Sequence, residues 1–209
     1  MPASFIKLYQ ENPDPNKIRK IADVLRQGGV VIYPTDTIYG IGCDIFNRKA
    51  VERVARIKGG KADKANFSFI CHDISEISQY AKQIHTPVYK LLRRALPGPF
   101  TFIFKASSKV PKALFLKKKT VGLRVPAHSV PVEIVRELGN PIITTSIRDE
   151  DEVLEYSTDP ELIYEKYKHK VDIVIDGGYG ANVASTVVDC TDDQIEVVRE
   201  GLGNIEKYL

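Results

Sequence analysis

Residues 34–42 read Pro-Thr-Asp-Thr-Ile-Tyr-Gly-Ile-Gly. Three hydroxyl side chains (Thr35, Thr37, Tyr39) and one carboxylate (Asp36) fall within five positions. Such a set can hydrogen-bond a small polar ligand, and it can equally make a well-capped turn. The apolar run Val30–Tyr33 ahead of it reads as a buried strand. Pro34 has no N–H and ends ladder pairing, while Gly40 and Gly42 let the backbone bend or approach a ligand closely. Loops rich in donors and acceptors at a strand end are where α/β proteins bind small polar ligands.

Charge supplies a second set of candidates. Lys58, Lys61 and Lys64 cluster in one glycine-containing loop, Arg93 and Arg94 end a helix-like segment, and Lys117–Lys119 form a run. These clusters suit phosphate without separating ATP from RNA, and each also reads as a solvated face or a helix C-terminus complement. The formal net charge of +3 does not by itself demand a nucleic-acid partner. Three cysteines, Cys43, Cys71 and Cys190, are odd in number and widely spaced. That pattern points away from a disulfide framework or a cysteine metal site and toward buried apolar roles in a reducing compartment. The histidines, His72, His85, His128 and His169, are scattered and form no triad with a serine or cysteine.

The elements that must position these residues alternate. Asp14-Pro15 opens a helix whose apolar face is Ile18, Ile21, Ala22 and Leu25, stopped by Gly28-Gly29. A strand at 30–33 and a short strand near 41–45 flank the hydroxyl-rich turn. Asn47 caps a second helix with Ala50, Val51, Val54 and Ile57 on one face. A strand at Phe67–Cys71, a short helix after Asp73 and a helix from Thr86 to Leu96 follow. The second half predicts strands at 100–105, 120–125, 141–147, 171–176, 185–189 and 195–199, with helices at 132–138 and after Asp159-Pro160. Short turns between neighbouring strands imply a mixed sheet. At 209 residues, with 43% hydrophobic and 27% charged residues, one α/β domain spanning 1–209 is expected. No apolar run reaches the roughly 18 residues that would span a bilayer, and Met1–Phe5 lacks the pattern of a secretory signal, so a cytoplasmic protein without a membrane partner is expected.

Further motifs follow the first turn in a fixed order. They are Arg56-Ile57-Lys58-Gly59-Gly60, Pro97-Gly98-Pro99-Phe100-Thr101, Val121-Gly122-Leu123-Arg124-Val125-Pro126 with His128, Ile143-Thr144-Thr145-Ser146, Ser185-Thr186-Val187-Val188-Asp189 and Val198-Arg199-Glu200-Gly201. In that order the chain resembles the YrdC-like domain of the threonylcarbamoyl-adenylate synthase family, from about residue 15 to 205. The resemblance implies a twisted open mixed sheet with flanking helices and a large basic groove. It also implies a synthase-like reaction that joins L-threonine, bicarbonate and ATP, releases pyrophosphate and serves tRNA threonylcarbamoyladenosine modification. Magnesium would accompany the ATP.

By the same resemblance Thr37, Tyr39, Arg124, Thr144 and Ser185 would hold L-threonine. Thr120, Ser146, Arg199 and Lys58 would hold ATP, with Lys58 and Ser146 at the reacting phosphates. The Arg124 guanidinium matches a carboxylate bidentately, and its alternative is a structural ion pair. The YrdC-like fold is also associated with double-stranded RNA, so a non-catalytic RNA- or nucleotide-binding module is the alternative reading.

The departures fall on the chemistry. Family synthases carry Lys-x-Arg where this chain has Lys58-Gly59-Gly60, and Ser-x-Asn where it has Ser146-Ile147-Arg148. Phe67-Ser68 and Cys71 replace a proline-leucine and a histidine, and the acidic run Asp149–Glu152 replaces a small-residue loop. Each lost phosphate contact costs about 2–4 kcal/mol of transition-state stabilisation. These departures resemble the YciO-like branch and imply a weakened synthase.

Overall fold

In a computed structural model, residues 1–60, 67–111, 114, 119–147, 158–192 and 195–209 are described. Lys61, Lys64, Lys117, Lys118, Arg148 and the acidic run 149–152 lie outside them. The strands are β1 Ser4–Lys7, β2 Val31–Tyr33, β3 Gly40–Asp44, β4 Ser68–Ile70, β5 Phe100–Lys105, β6 Thr120–Arg124, β7 Ile142–Ser146, β8 Ile173–Asp176, β9 Thr186–Asp189 and β10 Glu196–Arg199. They form one mixed sheet in the order β1-β8-β2-β3-β7-β4-β6-β5-β9-β10. The helices are α1 Pro15–Arg26, α2 Arg48–Ile57, α3 Ile74–Tyr80, α4 Thr86–Ala95, α5 Ser129–Leu138 and α6 Pro160–Tyr167.

Local signals work where they are chemical. Asp14 accepts from the Asn16 amide at 2.8 Å and Asn47 from the Ala50 amide at 3.1 Å, so both capping residues start their helices as expected. Two elements differ from expectation. Helix α5 begins at Ser129, not at Val132, with His128 as its N-cap. Pro131 sits in its first turn, where a missing N–H costs nothing because that donor has no intrahelical partner. Strand β1 carries no clear apolar alternation; it forms because β8 offers it a parallel edge, Ser4 opposite Ile173 through Lys7 opposite Asp176.

The register of the central strands lays down two rows of opposite character. Cys43, Ile143, Phe69, Leu123, Phe102 and Val188 stand opposite one another across six strands, and all are buried. They belong to the larger apolar cluster, which takes in α2 through Ala50, Val51 and Val54 and α4 through Val88, Leu91 and Leu92. One residue along, Gly42, Thr144, Ser68, Gly122 and Ile103 form the next row, on the other face. Only part of that other face is covered. The smaller cluster joins Ile18, Ile21, Leu25 of α1 and Val130, Ile134, Leu138 of α5 to Ile6, Val31, Ile142 and Ile175 of the sheet. Past Ile142 and Ile70 the middle of this face presents mainly glycine and hydroxyl residues, which give a helix little apolar surface to bury, and the sheet is left open.

This asymmetry has a measurable consequence. Phe102→Ala leaves a cavity in the buried row and is expected to cost about 3–5 kcal/mol. Ser68→Ala on the open row should change stability by no more than about 0.5 kcal/mol. Urea unfolding of both variants checks the contrast.

Candidate functional site

The open half of the sheet is the floor of a cavity of about 670 Å³. Seven of the candidate residues meet there: Thr37, Thr120, Arg124, Thr144, Ser146, Ser185 and Arg199 all line it. They come from the β2–β3 loop, β6, β7, the start of β9 and β10, and only the strand order brings them to one face. Thr35, Ser68 and Thr101 line it too, although sequence reasoning did not assign them as site residues. Their signal was present in the alternation of Phe100, Phe102 and Phe104 with Thr101, and of Phe69 with Ser68, which marks a polar side to each strand. Phe67, Val110, Leu114, Val121 and Val198 supply an apolar wall.

The floor is shaped by missing side chains as much as by those present. A Cβ on Gly122 would lie 2.7 Å from the Ser68 hydroxyl oxygen and 3.2 Å from Thr101 Cγ2. A Cβ on Gly42 would come within 2.0 Å of the Ile143 carbonyl oxygen, a clash with backbone that cannot relax.

Among the described lining residues the charged ones are Arg124 and Arg199. Arg124 Nη2 donates to Asp36 Oδ1 at 2.7 Å and to Thr37 Oγ1 at 3.3 Å. Its Nε is buried and has no hydrogen-bond partner among the described residues. One nitrogen of the fork is therefore spent on an ion pair with Asp36, the alternative that the sequence left open beside a ligand carboxylate. Arg199 Nη2 donates to the Ser185 carbonyl at 2.7 Å and approaches its hydroxyl at 3.4 Å, while that hydroxyl lies 2.9 Å from Thr101 Oγ1. Desolvation, and then the like charge of Arg124, push the Arg199 pKa down. Two guanidiniums thus share a cavity, and the carboxylate paired with one of them, Asp36, is already engaged.

Two candidates lie off the floor. Tyr39, just ahead of β3, is buried; its hydroxyl accepts from the Gly177 amide at 3.1 Å and donates to the Gly178 carbonyl at 2.7 Å. It clamps the 177–180 loop and is not among the residues that line the cavity. Lys58 does not line the cavity either. Its ammonium donates to the Ile147 carbonyl at 3.4 Å, one residue beyond Ser146. The residues after it close α2: Gly59, at φ +72, donates to the Arg56 carbonyl and Gly60 to the Ala55 carbonyl. This paired C-terminal cap requires the left-handed conformation that glycine adopts freely.

The remaining titratable groups have structural places. His72 Nδ1 lies 2.8 Å from Glu76 Oε2, and His128 Nδ1 accepts from the Val130 amide at 3.3 Å. All three cysteines are buried, and burial pushes the Cys190 thiol up to about 12. Among the described residues no group of three or more His, Cys, Asp or Glu gathers to hold a metal, and no helix is long and apolar enough to cross a membrane.

Comparison with known proteins supplies the family. Residues 23–201 match the Sua5/YciO/YrdC domain, described as telomere recombination. The chain belongs to the Sua5/YciO/YrdC family. It is 36% identical over 208 residues to the uncharacterised YciO protein of Escherichia coli K12, covering 99% of this chain and 100% of that one. The crystal structure of E. coli YciO superposes on this fold with a TM-score of 0.90, again covering 99% and 100% of the two chains. Synthases lie further away. The threonylcarbamoyl-AMP synthase of Coxiella burnetii is 31% identical over 156 residues, covering 75% of this chain and 82% of that protein. P. abyssi Sua5, solved in complex with L-threonine, aligns with a TM-score of 0.85 and 29% identity, covering 95% of this chain and 58% of that one.

Burial lowers the His128 pKa below the ordinary histidine value of about 6.5, against the opposing pull of the Asp36 and Glu11 carboxylates. Below that value the unfolded chain takes up a proton that the folded one refuses, so stability falls as pH drops through about 6.5. His128→Asn keeps an acceptor at the helix N-cap and should flatten the stability–pH slope in the range just below about 6.5. Denaturant midpoints of the two proteins across that range give the comparison.

Proposed function

We propose that this protein binds L-threonine and ATP together in the groove and carries out a synthase-like adenylation, slowed by the altered phosphate loops. The observation that carries the reading is the pairing of Arg124 and Arg199 on an open, hydroxyl-lined sheet face with no described acidic lining residue. Such a cavity favours an anion and supplies the donors that orient it. A relative of the same fold was solved with L-threonine bound, which supports an amino acid as one ligand.

In this reading the carboxylate of threonine meets Arg124, with Thr37, Thr144 and Ser185 around the rest of the amino acid. The unpartnered Arg124 Nε is a donor whose burial costs about 1–3 kcal/mol until something accepts from it. Thr120, Ser146 and Arg199 face the nucleotide, and the apolar wall suits its base. The threonine amine and bicarbonate condense to a carbamate with loss of water. A carbamate oxygen then attacks the α-phosphorus of ATP, and pyrophosphate leaves with its magnesium. No side-chain nucleophile is needed, so the groove works by positioning and charge neutralisation. The bond from Arg199 to Ser185 ties the nucleotide side to the amino-acid side.

Titration calorimetry with ATP–Mg²⁺, with and without L-threonine and bicarbonate, tests the reading. Arg124→Ala should weaken L-threonine at least tenfold, about 1.4 kcal/mol. Arg199→Ala should weaken ATP more than it weakens threonine. Pyrophosphate release that does not depend on threonine and bicarbonate, or no binding of either ligand, sinks it; salt-sensitive binding of double-stranded RNA would then lead.

A gain-of-function variant tests the role of the departures. Among the described residues a Cβ on Gly60 meets nothing nearer than the Ala55 carbonyl at 3.9 Å, so a side chain can start there, and Gly60→Arg restores the missing guanidinium. It should raise threonine-dependent pyrophosphate release at least tenfold with little change in melting temperature. An unchanged rate would mean that the missing arginine does not limit this protein.

A further inference from the structure

Asp36 belongs to the first chemical motif, yet the functional reading gives it no role. Both of its carboxylate oxygens are engaged. Oδ1 accepts from Arg124 Nη2 at 2.7 Å, and Oδ2 accepts from the Ala127 amide at 2.9 Å. The pair is secluded, with side chains 8% and 10% exposed for Arg124 and Asp36. Thr37 adds a second acceptor on the same nitrogen, and its place is fixed in turn: its amide donates to Thr35 Oγ1 at 3.0 Å, and the Thr35 hydroxyl donates to the Ile38 carbonyl at 2.9 Å.

The geometry is selective. A guanidinium carries five N–H donors in a rigid plane, so fixing one nitrogen at two acceptors fixes the direction of the others. Asp36 and Thr37 take Nη2 and leave Nε buried without a partner. A purely structural ion pair in a low-dielectric site gains most when its remaining donors are satisfied too. This one leaves a donor open on a residue that lines the groove. The second oxygen anchors the arrangement to the segment that leads from β6 into α5, through the Ala127 amide. The orientation of Arg124 is therefore set by a turn 88 residues earlier in the chain, not by its own strand.

We propose that Asp36 is the positioning residue of the groove: its carboxylate, braced on the Ala127 amide, aims the Arg124 guanidinium at the carboxylate of an amino-acid ligand. The inference rests on the reading of L-threonine as that ligand. Asp36 acts through Arg124 and touches no substrate itself. It therefore governs recognition of the ligand's carboxylate and leaves recognition of the amine and side chain alone.

The test compares L-threonine with L-threoninol, in which a CH₂OH group replaces the carboxylate, by calorimetry on the full chain. Asp36→Asn is expected to weaken L-threonine at least tenfold while leaving L-threoninol within twofold. In an Arg124→Gln background the same substitution should change L-threonine affinity less than twofold. Equal weakening of both ligands would assign Asp36 a structural role only, and unchanged threonine affinity would remove it altogether. Should the asparagine variant fail to fold, Asp36→Glu keeps the charge, displaces it by one methylene and should show the same selective loss.

A ligand-free measurement separates this inference from the functional reading. The Arg124 Nε–Hε signal in a nitrogen–proton spectrum, assigned by its loss in Arg124→Lys, should be protected from solvent exchange in the native protein. It should lose that protection in Asp36→Asn. If the native chain binds no L-threonine, the functional reading falls and this spectrum decides the positioning role alone; a signal unchanged in the variant overturns it.

Discussion

The fold depends on two adjacent rows of residues that run across the middle of one sheet and differ in what they offer a covering layer. Cys43, Ile143, Phe69, Leu123, Phe102 and Val188 present only apolar surface, and helices α2 and α4 bury it. Gly42, Thr144, Ser68 and Gly122 present almost none. Burial is proportional to apolar area, so a helix laid on the second row would gain little and would desolvate hydroxyls without partners. Helices α1 and α5 stop where Ile142 and Ile70 end the apolar surface on that face. The groove is the part of the sheet that hydrophobicity does not pay to cover.

Electrostatics then decides what the groove accepts. Arg124 and Arg199 enter it from β6 and β10 with one carboxylate, Asp36, held in a secluded pair. The lowered pKa of Arg199 records the strain of two like charges drawn out of water together. An anionic ligand relieves that strain, and the surrounding hydroxyls from Thr37, Thr144 and Ser185 can adapt to donate or accept. The same reasoning explains why Tyr39 is excluded. Its hydroxyl is consumed by the Gly177 and Gly178 backbone.

The phosphate end has a different logic. Where family synthases are expected to place an arginine, Gly60 serves with Gly59 as the paired cap of α2. Lys58 is drawn back toward the Ile147 carbonyl. Among the described residues, the proposed amino-acid side of the groove thus keeps more of the charged and hydroxyl groups that the resemblance implies than the proposed phosphate side. The similarity to E. coli YciO extends over essentially the whole length of both chains.

Sequence alone carried the local chemistry of this protein. Asp14 and Asn47 at helix starts, Gly28 and Gly59 at helix ends, and the alternation of Phe100, Phe102 and Phe104 act over a few residues and can be read wherever they occur. The ordered motifs also pointed to the family and to seven of the residues that line the cavity. Other features were beyond its reach because they depend on partners far along the chain. Strand β1 exists only because β8 offers it an edge, 169 residues from Ser4 to Ile173. The engagement of Arg124 by Asp36, the seclusion of the Tyr39 hydroxyl and the convergence of Arg199 on Ser185 follow from strand order. Sequence spacing sets which side of its own strand a residue occupies; only the tertiary register sets which other strand's residue stands beside it.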